Sequence, residues 1–126
     1  MKQVWIVDDD EEMNRAIGLM LKLLDCEVEA FYSVRSAAQL LVSGKKPDLI
    51  ILDINMPELS GLDMVEFLRR RTETKNLPIV ILSSETADTM VDKALALGAD
   101  AYVTKPVTLE EMEKAMATAF YKHLTA

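Results

Sequence analysis

The sequence predicts an α/β fold: a doubly wound five-stranded parallel sheet, order 2-1-3-4-5, of the flavodoxin-like (βα)5 type. Three observations predict it. The runs VWIV (4–7), LIILDI (49–54), PIVIL (78–82) and AYVT (101–104) are short, rich in β-branched residues and nearly continuous rather than alternating, as strands covered on both faces are. Stretches with apolar residues at helical spacing lie between them. The connections are short, so strand and helix alternate along the whole chain, and right-handed crossovers then leave few arrangements.

Each element has its own support. VWIV leads into a helix over Met13–Leu24, whose Ile17, Met20, Leu21 and Leu24 share one face. VEAFY (28–32) alternates more and reads as a second strand nearer an edge. A helix over Val34–Val42 stops at Gly44, and Pro47 precedes LIILDI where a missing N–H is tolerable. Ser60 with Asp63 has capping-box spacing ahead of a helix over Leu62–Arg70. Pro78 opens the fourth strand, and a helix over Thr89–Leu97 closes at Gly98. AYVT follows, then a second capping box, Thr108 with Glu111, and a helix over Leu109–Leu124.

Composition narrows the function. A length of 126 residues suits one domain, spanning 1–126, with its own core. Half the residues are apolar and 28% are charged, as in a soluble globular domain. The net charge of −7 argues against binding nucleic acid or an anionic membrane, which both need a basic face. One cysteine, Cys26, excludes an internal disulfide, and with His123 as the single histidine a four-ligand zinc site is out of reach. Both read as packing or surface residues. The start of the chain lacks the pattern of a signal peptide, and no apolar run approaches the roughly 20 residues of a membrane helix. The expectation is a cytoplasmic, soluble domain.

The polar residues at the strand ends carry the chemistry. Asp8, Asp9 and Asp10 follow the first strand, Asp53 ends the third, Ser83 and Ser84 follow the fourth, and Lys105 follows the fifth. All fall at the carboxyl edge, and the acids flank the switch point where such sheets bind ligands. Converging carboxylates repel one another unless a cation joins them. An all-oxygen set with open positions suits Mg²⁺, and Lys105 either neutralises further charge or holds an anionic group. A carboxylate attacking phosphorus is an anion approaching an anion and needs such a metal and ammonium. The residues therefore point to Mg²⁺-assisted phosphoryl transfer to Asp53.

Plainer explanations compete at each position. Asp9 or Asp10 would serve as a helix cap. Lys105 could be a solvated strand-end lysine, and Tyr102 simple edge packing. Met20, Met64, Met90, Met112 and Met116 suit core and helix-face filling. A calcium loop counted from Asp8 fails, because it needs glycine at Met13 and glutamate at Leu19.

The set VDDD (7–10), LDINMPELSG (52–61), LSS (82–84) and YVTKP (102–106) resembles the receiver domain of bacterial two-component response regulators, over essentially the whole chain. The resemblance implies that Asp53 is the phosphoacceptor, supplied by a histidine kinase or histidine phosphotransfer protein. It implies Mg²⁺ held by Asp9 directly, by Asp53, by the Asn55 backbone carbonyl and, through water, by Asp8. Ser83 matches the switch hydroxyl, Lys105 the lysine that pairs with the phosphoryl group, and Tyr102 the aromatic whose rotamer follows the switch. A cis bond between Lys105 and Pro106 is implied as well. The domain would act as no enzyme beyond its own phosphorylation and dephosphorylation. It would signal through its fourth helix and fifth strand to an output domain or protein partner, as a monomer or a phosphorylation-dependent dimer.

Three departures from that pattern stand out. Ser83 keeps the hydroxyl of threonine without its stiffening methyl. Val107 replaces a frequent aromatic. Ala101 and an arginine-free last helix lack the charges by which winged-helix regulators dimerise, which argues against that dimer mode though not against dimerisation.

Other functions fit less well. A Mg²⁺-dependent phosphohydrolase of the haloacid-dehalogenase type would need a second aspartate where Asn55 stands. An FMN site would need backbone N–H donors where the first loop is acidic. A phosphorylation-independent binding module remains the main alternative. The end of the chain at YKHLTA fits either a stand-alone receiver or one cut from a longer regulator.

Overall fold

A computed structural model describes residues 1–124. Strand and helix alternate five times: β1 (Lys2–Val7), α1 (Glu11–Leu23), β2 (Cys26–Phe31), α2 (Val34–Val42), β3 (Leu49–Asp53), α3 (Gly61–Arg70), β4 (Ile79–Ser83), α4 (Asp88–Leu97), β5 (Ala101–Thr104) and α5 (Leu109–Lys122). The strands form one parallel sheet in the order β2-β1-β3-β4-β5, the flavodoxin-like arrangement expected. β2 lies at an edge, and its burial is the most interrupted of the five strands. Among the described residues no helix is long and apolar enough to cross a membrane.

Side chains alternate across the strands, so the sheet divides the core in two. Trp5, Val7, Ile50, Leu52, Ile79 and Ile81 point to the face covered by α2, α3 and α4. Val4, Ile6, Leu49, Ile51, Val80 and Leu82 point to the face covered by α1 and α5. Every residue of β3 and β4 is buried, which is why those strands read as unbroken apolar runs.

Element ends differ modestly from the periodicity. α1 starts at Glu11 rather than Met13, because Asp10 caps it and the acidic first turn carries no apolar signal. β2 begins at Cys26, set by its pairing with Lys2, and ends before Tyr32, which is 54% exposed. Both capping boxes form, Ser60 with Asp63 and Thr108 with Glu111. Gly98 caps α4 at φ 120°, and Gly44 follows the end of α2 at φ 104°, a conformation that glycine adopts without steric cost.

At the amino edge, Asp100 accepts from the Ile79 N–H (2.8 Å), the Arg69 guanidinium (3.1 Å) and His123 Nε2 (2.9 Å). Arg69 also donates to the carbonyls of Gly98 and Leu77. This network ties α3, β4, β5 and the end of α5 together, well away from the carboxyl edge. His123 is thus a structural residue, and Cys26 is buried beside β1.

Candidate functional site

The sheet brings Asp8, Asp9, Asp53, Ser83 and Lys105 to its carboxyl edge. Asp8 is held from all sides: its N–H donates to the Phe31 carbonyl at 3.0 Å, and its Oδ1 accepts from the Asp10 N–H at 2.9 Å. The chain turns there, leaving Asp9 exposed while Asp10 accepts from the N–H groups of Glu12 and Met13. The capping role therefore falls to Asp10. Carboxylate oxygens of Asp8, Asp9 and Asp53 lie within 4.8 Å of one another.

Lys105 reaches this cluster from the end of β5, with Nζ 3.2 Å from Asp8 Oδ2 and 3.5 Å from Asp53 Oδ2. Its side chain is 18% exposed and those of the two acids are under a tenth exposed, so the pairing is only weakly screened by solvent. The peptide between Lys105 and Pro106 is cis. Burial alone would lower the lysine's affinity for its proton, but Asp53 and Asp8 outweigh that and raise it.

Asp53 is pushed up to about 6, first by burial and then by the neighbouring Asp8 carboxylate. Lys105 and the Asn55 N–H, 3.3 Å from Asp53 Oδ1, oppose the shift without cancelling it. The site thus holds more negative charge than its one lysine balances. Its donors are all oxygen, which fits a hard divalent cation. The cluster could hold a metal, with Asp8, Asp9 and Asp53 as the donors brought together.

Around Asp53 the backbone packs tightly. A Cβ on Gly61 would meet the Asp53 carbonyl carbon at 2.9 Å and its oxygen closer still, so the start of α3 can sit behind Asp53 only as glycine. Glu58, in the intervening loop, has φ 66°. Ser83 is buried, and its Oγ accepts from the Glu85 N–H at 3.0 Å, whereas Ser84 is exposed. The Tyr102 hydroxyl donates to the Glu85 carbonyl at 2.9 Å, so serine and tyrosine meet at one residue. The helix that follows, α4, has no side-chain cap and buries only Ala94. It has the fewest fully buried residues of the five helices.

A model of the family described as the response regulator receiver domain matches residues 4–117. The chain belongs to this family. Among curated relatives, this receiver domain is 31% identical over 112 residues to the phosphate regulon transcriptional regulatory protein PhoB of Rhizobium meliloti, covering 89% of the chain and 49% of that protein. It is 37% identical over 109 residues to hybrid signal transduction histidine kinase D of Dictyostelium discoideum, covering 86% of the chain but 7% of the kinase. The receiver thus spans half or less of these two relatives. Among solved structures, chemotaxis protein CheY4 of Vibrio cholerae superposes with a TM-score of 0.84 at 29% identity, covering 93% of this chain and 97% of that one.

Three residues near the site carry no role in the sequence reading. Asn14 is buried and donates to the Asp8 carbonyl. Its spacing from Ile17 and Leu21 places a polar residue on the buried face of α1, a signal available beforehand. Gly61 and Glu85 act through backbone proximity, which side-chain patterning does not record.

Proposed function

We propose that this receiver accepts a phosphoryl group on Asp53 from the phosphohistidine of a histidine kinase or histidine phosphotransfer protein, with Mg²⁺ as cofactor. The convergence of the Lys105 ammonium with the carboxylates of Asp8, Asp9 and Asp53 carries this reading. An Asp53 oxygen attacks phosphorus, the P–N bond of the donor breaks, and the leaving imidazole takes the electron pair. Asp9, Asp53, the Asn55 carbonyl and, through water, Asp8 would hold Mg²⁺, which offsets charge on the phosphoryl oxygens. Lys105 pairs with the same group, so the nucleophile and the incoming anion face positive charge together.

Ser83 and Tyr102 then form the switch. The Ser83 hydroxyl keeps its proton free to donate to a phosphoryl oxygen while its Oγ accepts from Glu85. Movement of Ser83 shifts the Glu85 segment, to which the Tyr102 hydroxyl is bonded. The sparsely buried α4 and the adjoining β5 present the altered surface to an output domain or partner protein. The domain catalyses only its own phosphorylation and dephosphorylation, and acts in the cytoplasm.

Incubation with acetyl phosphate, with and without Mg²⁺, tests the proposal by intact mass. One phosphoryl adduct is expected, dependent on Mg²⁺ and absent from Asp53→Ala. Because fast hydrolysis can hide the adduct, beryllium fluoride binding is the second measurement. Failure of both in a folded chain would leave a phosphorylation-independent binding module.

A further inference from the structure

Asn14 is 4% exposed, on the face of α1 that it shares with Ile17 and Leu21. A hydrocarbon side chain would pack there without desolvating polar atoms. The amide instead brings two polar atoms inside and satisfies one of them among the described residues. Its Nδ2 donates to the Asp8 carbonyl oxygen at 2.8 Å, while its Oδ1 has no hydrogen-bond partner. A buried acceptor left unpaired works against folding. The single bond the amide makes is therefore a better account of this residue than stability.

That bond falls on a particular peptide. The Asp8 carbonyl belongs to the planar unit joining Asp8 to Asp9, so gripping its oxygen fixes the direction in which Asp9 leaves the strand. The rest of Asp8 is already fixed, by Phe31 at its N–H, by Asp10 at Oδ1 and by Lys105 at Oδ2. Asn14 supplies the remaining restraint, on the side of Asp9. Asp9 is exposed, with neither the burial nor the lysine that hold Asp8 and Asp53 in place.

We infer that Asn14 is a positioning residue for the cation-binding turn. By holding the Asp8–Asp9 peptide it keeps the Asp9 carboxylate converged with Asp8 and Asp53, and thereby sets the affinity for Mg²⁺. The inference rests on the cation site of the proposed function. Its action is indirect, like that of residues which orient metal ligands from behind.

The test compares the wild type with Asn14→Leu, which is near in size and wholly apolar, and with Asn14→Ala. Mg²⁺ titrations near neutral pH, followed by the backbone amide signals of Asp9 and Asn55, give the dissociation constant. Thermal unfolding in EDTA reports stability apart from the metal. Both variants are expected to bind Mg²⁺ about tenfold more weakly, while Asn14→Leu unfolds in EDTA at or above the wild-type temperature. A purely structural residue would give the reverse: a lower melting temperature and an unchanged dissociation constant. Affinity in either folded variant within about twofold of wild type would overturn the inference, since outer-shell partners act by larger factors. So would failure of both variants to fold in EDTA. If the wild type itself gives no Mg²⁺-dependent shifts, the cation reading falls and this inference with it. If the wild type binds and the variants bind equally well, only the role of Asn14 is lost.

Discussion

The Lys105 ammonium sits between two acids from different strands, 3.2 Å from Asp8 and 3.5 Å from Asp53. One lysine just after β5 thus serves an acid just after β1 and another at the end of β3, and Asp9 adds a third carboxylate to the cluster. The excess negative charge makes this corner of the fold electrostatically unfavourable and ready to take up a cation. Strain of this kind at a functional site is a recurrent trade of stability for activity.

Replacing Asp53 should therefore stabilise the metal-free domain. Asp53 is raised from 3.8 to about 6, so the folded chain keeps a proton that the unfolded chain releases across that interval. The stability tied to this proton is fully present below the interval and is lost as pH rises through it. Asp53→Asn is expected to gain on the order of 2 kcal/mol in EDTA at neutral pH. The gain should shrink towards zero as the pH falls to about 4. Urea titrations at the two pH values check this, and a loss of stability at neutral pH would contradict the charge argument.

Removing Lys105 separates its two effects. Lys105→Ala leaves the carboxylates without their ammonium, so Mg²⁺ should bind several-fold more tightly. Phosphorylation by acetyl phosphate should nevertheless slow by about 100-fold, because the ammonium proposed to meet the incoming anion is gone. Unchanged phosphorylation rates under saturating Mg²⁺ would remove Lys105 from the chemistry.

Gly61→Ala tests the packing behind Asp53. The new Cβ would meet Asp53 backbone rather than a flexible side-chain end, so the start of α3 must shift. A loss of about 2 kcal/mol or more is expected in urea unfolding, together with weaker Mg²⁺ binding. A substitution that leaves both unchanged would mean that the loop yields freely.

The opposite edge should behave independently. Asp100→Ala strands the Arg69 guanidinium, whose proton affinity burial already lowers and Asp100 restores in part. The expected cost is about 3 kcal/mol, as for other broken buried pairs. Phosphorylation of the fraction that remains folded should proceed at the wild-type rate, since Asp100 lies at the amino end of the sheet. A phosphorylation defect in the folded fraction would reveal coupling along β5.

Much of this molecule was legible in the chain itself. Continuous runs such as LIILD predicted strands buried on both faces, and β3 is buried throughout. Ser60 and Thr108, each with an acid three residues on, marked where α3 and α5 begin. The position of Asp8, Asp53, Ser83 and Lys105 at strand ends followed from the strand assignments, because a parallel sheet places all its carboxyl ends on one edge. The order of elements and the residues of that edge are properties of local pattern, and local pattern is written in the sequence.

What the tertiary structure alone decided is who touches whom at that edge. Only the packed fold assigns Asp10 to the helix cap and leaves Asp9 to the cluster, since adjacent aspartates have the same local propensity for both. Only the fold bonds Asn14 to the Asp8 carbonyl, sets Gly61 against Asp53 and joins Tyr102 to Glu85. These contacts form only where the elements that carry them are placed to within a few tenths of an ångström. Such placement is fixed by the close packing of the whole core, and no short window of residues encodes it.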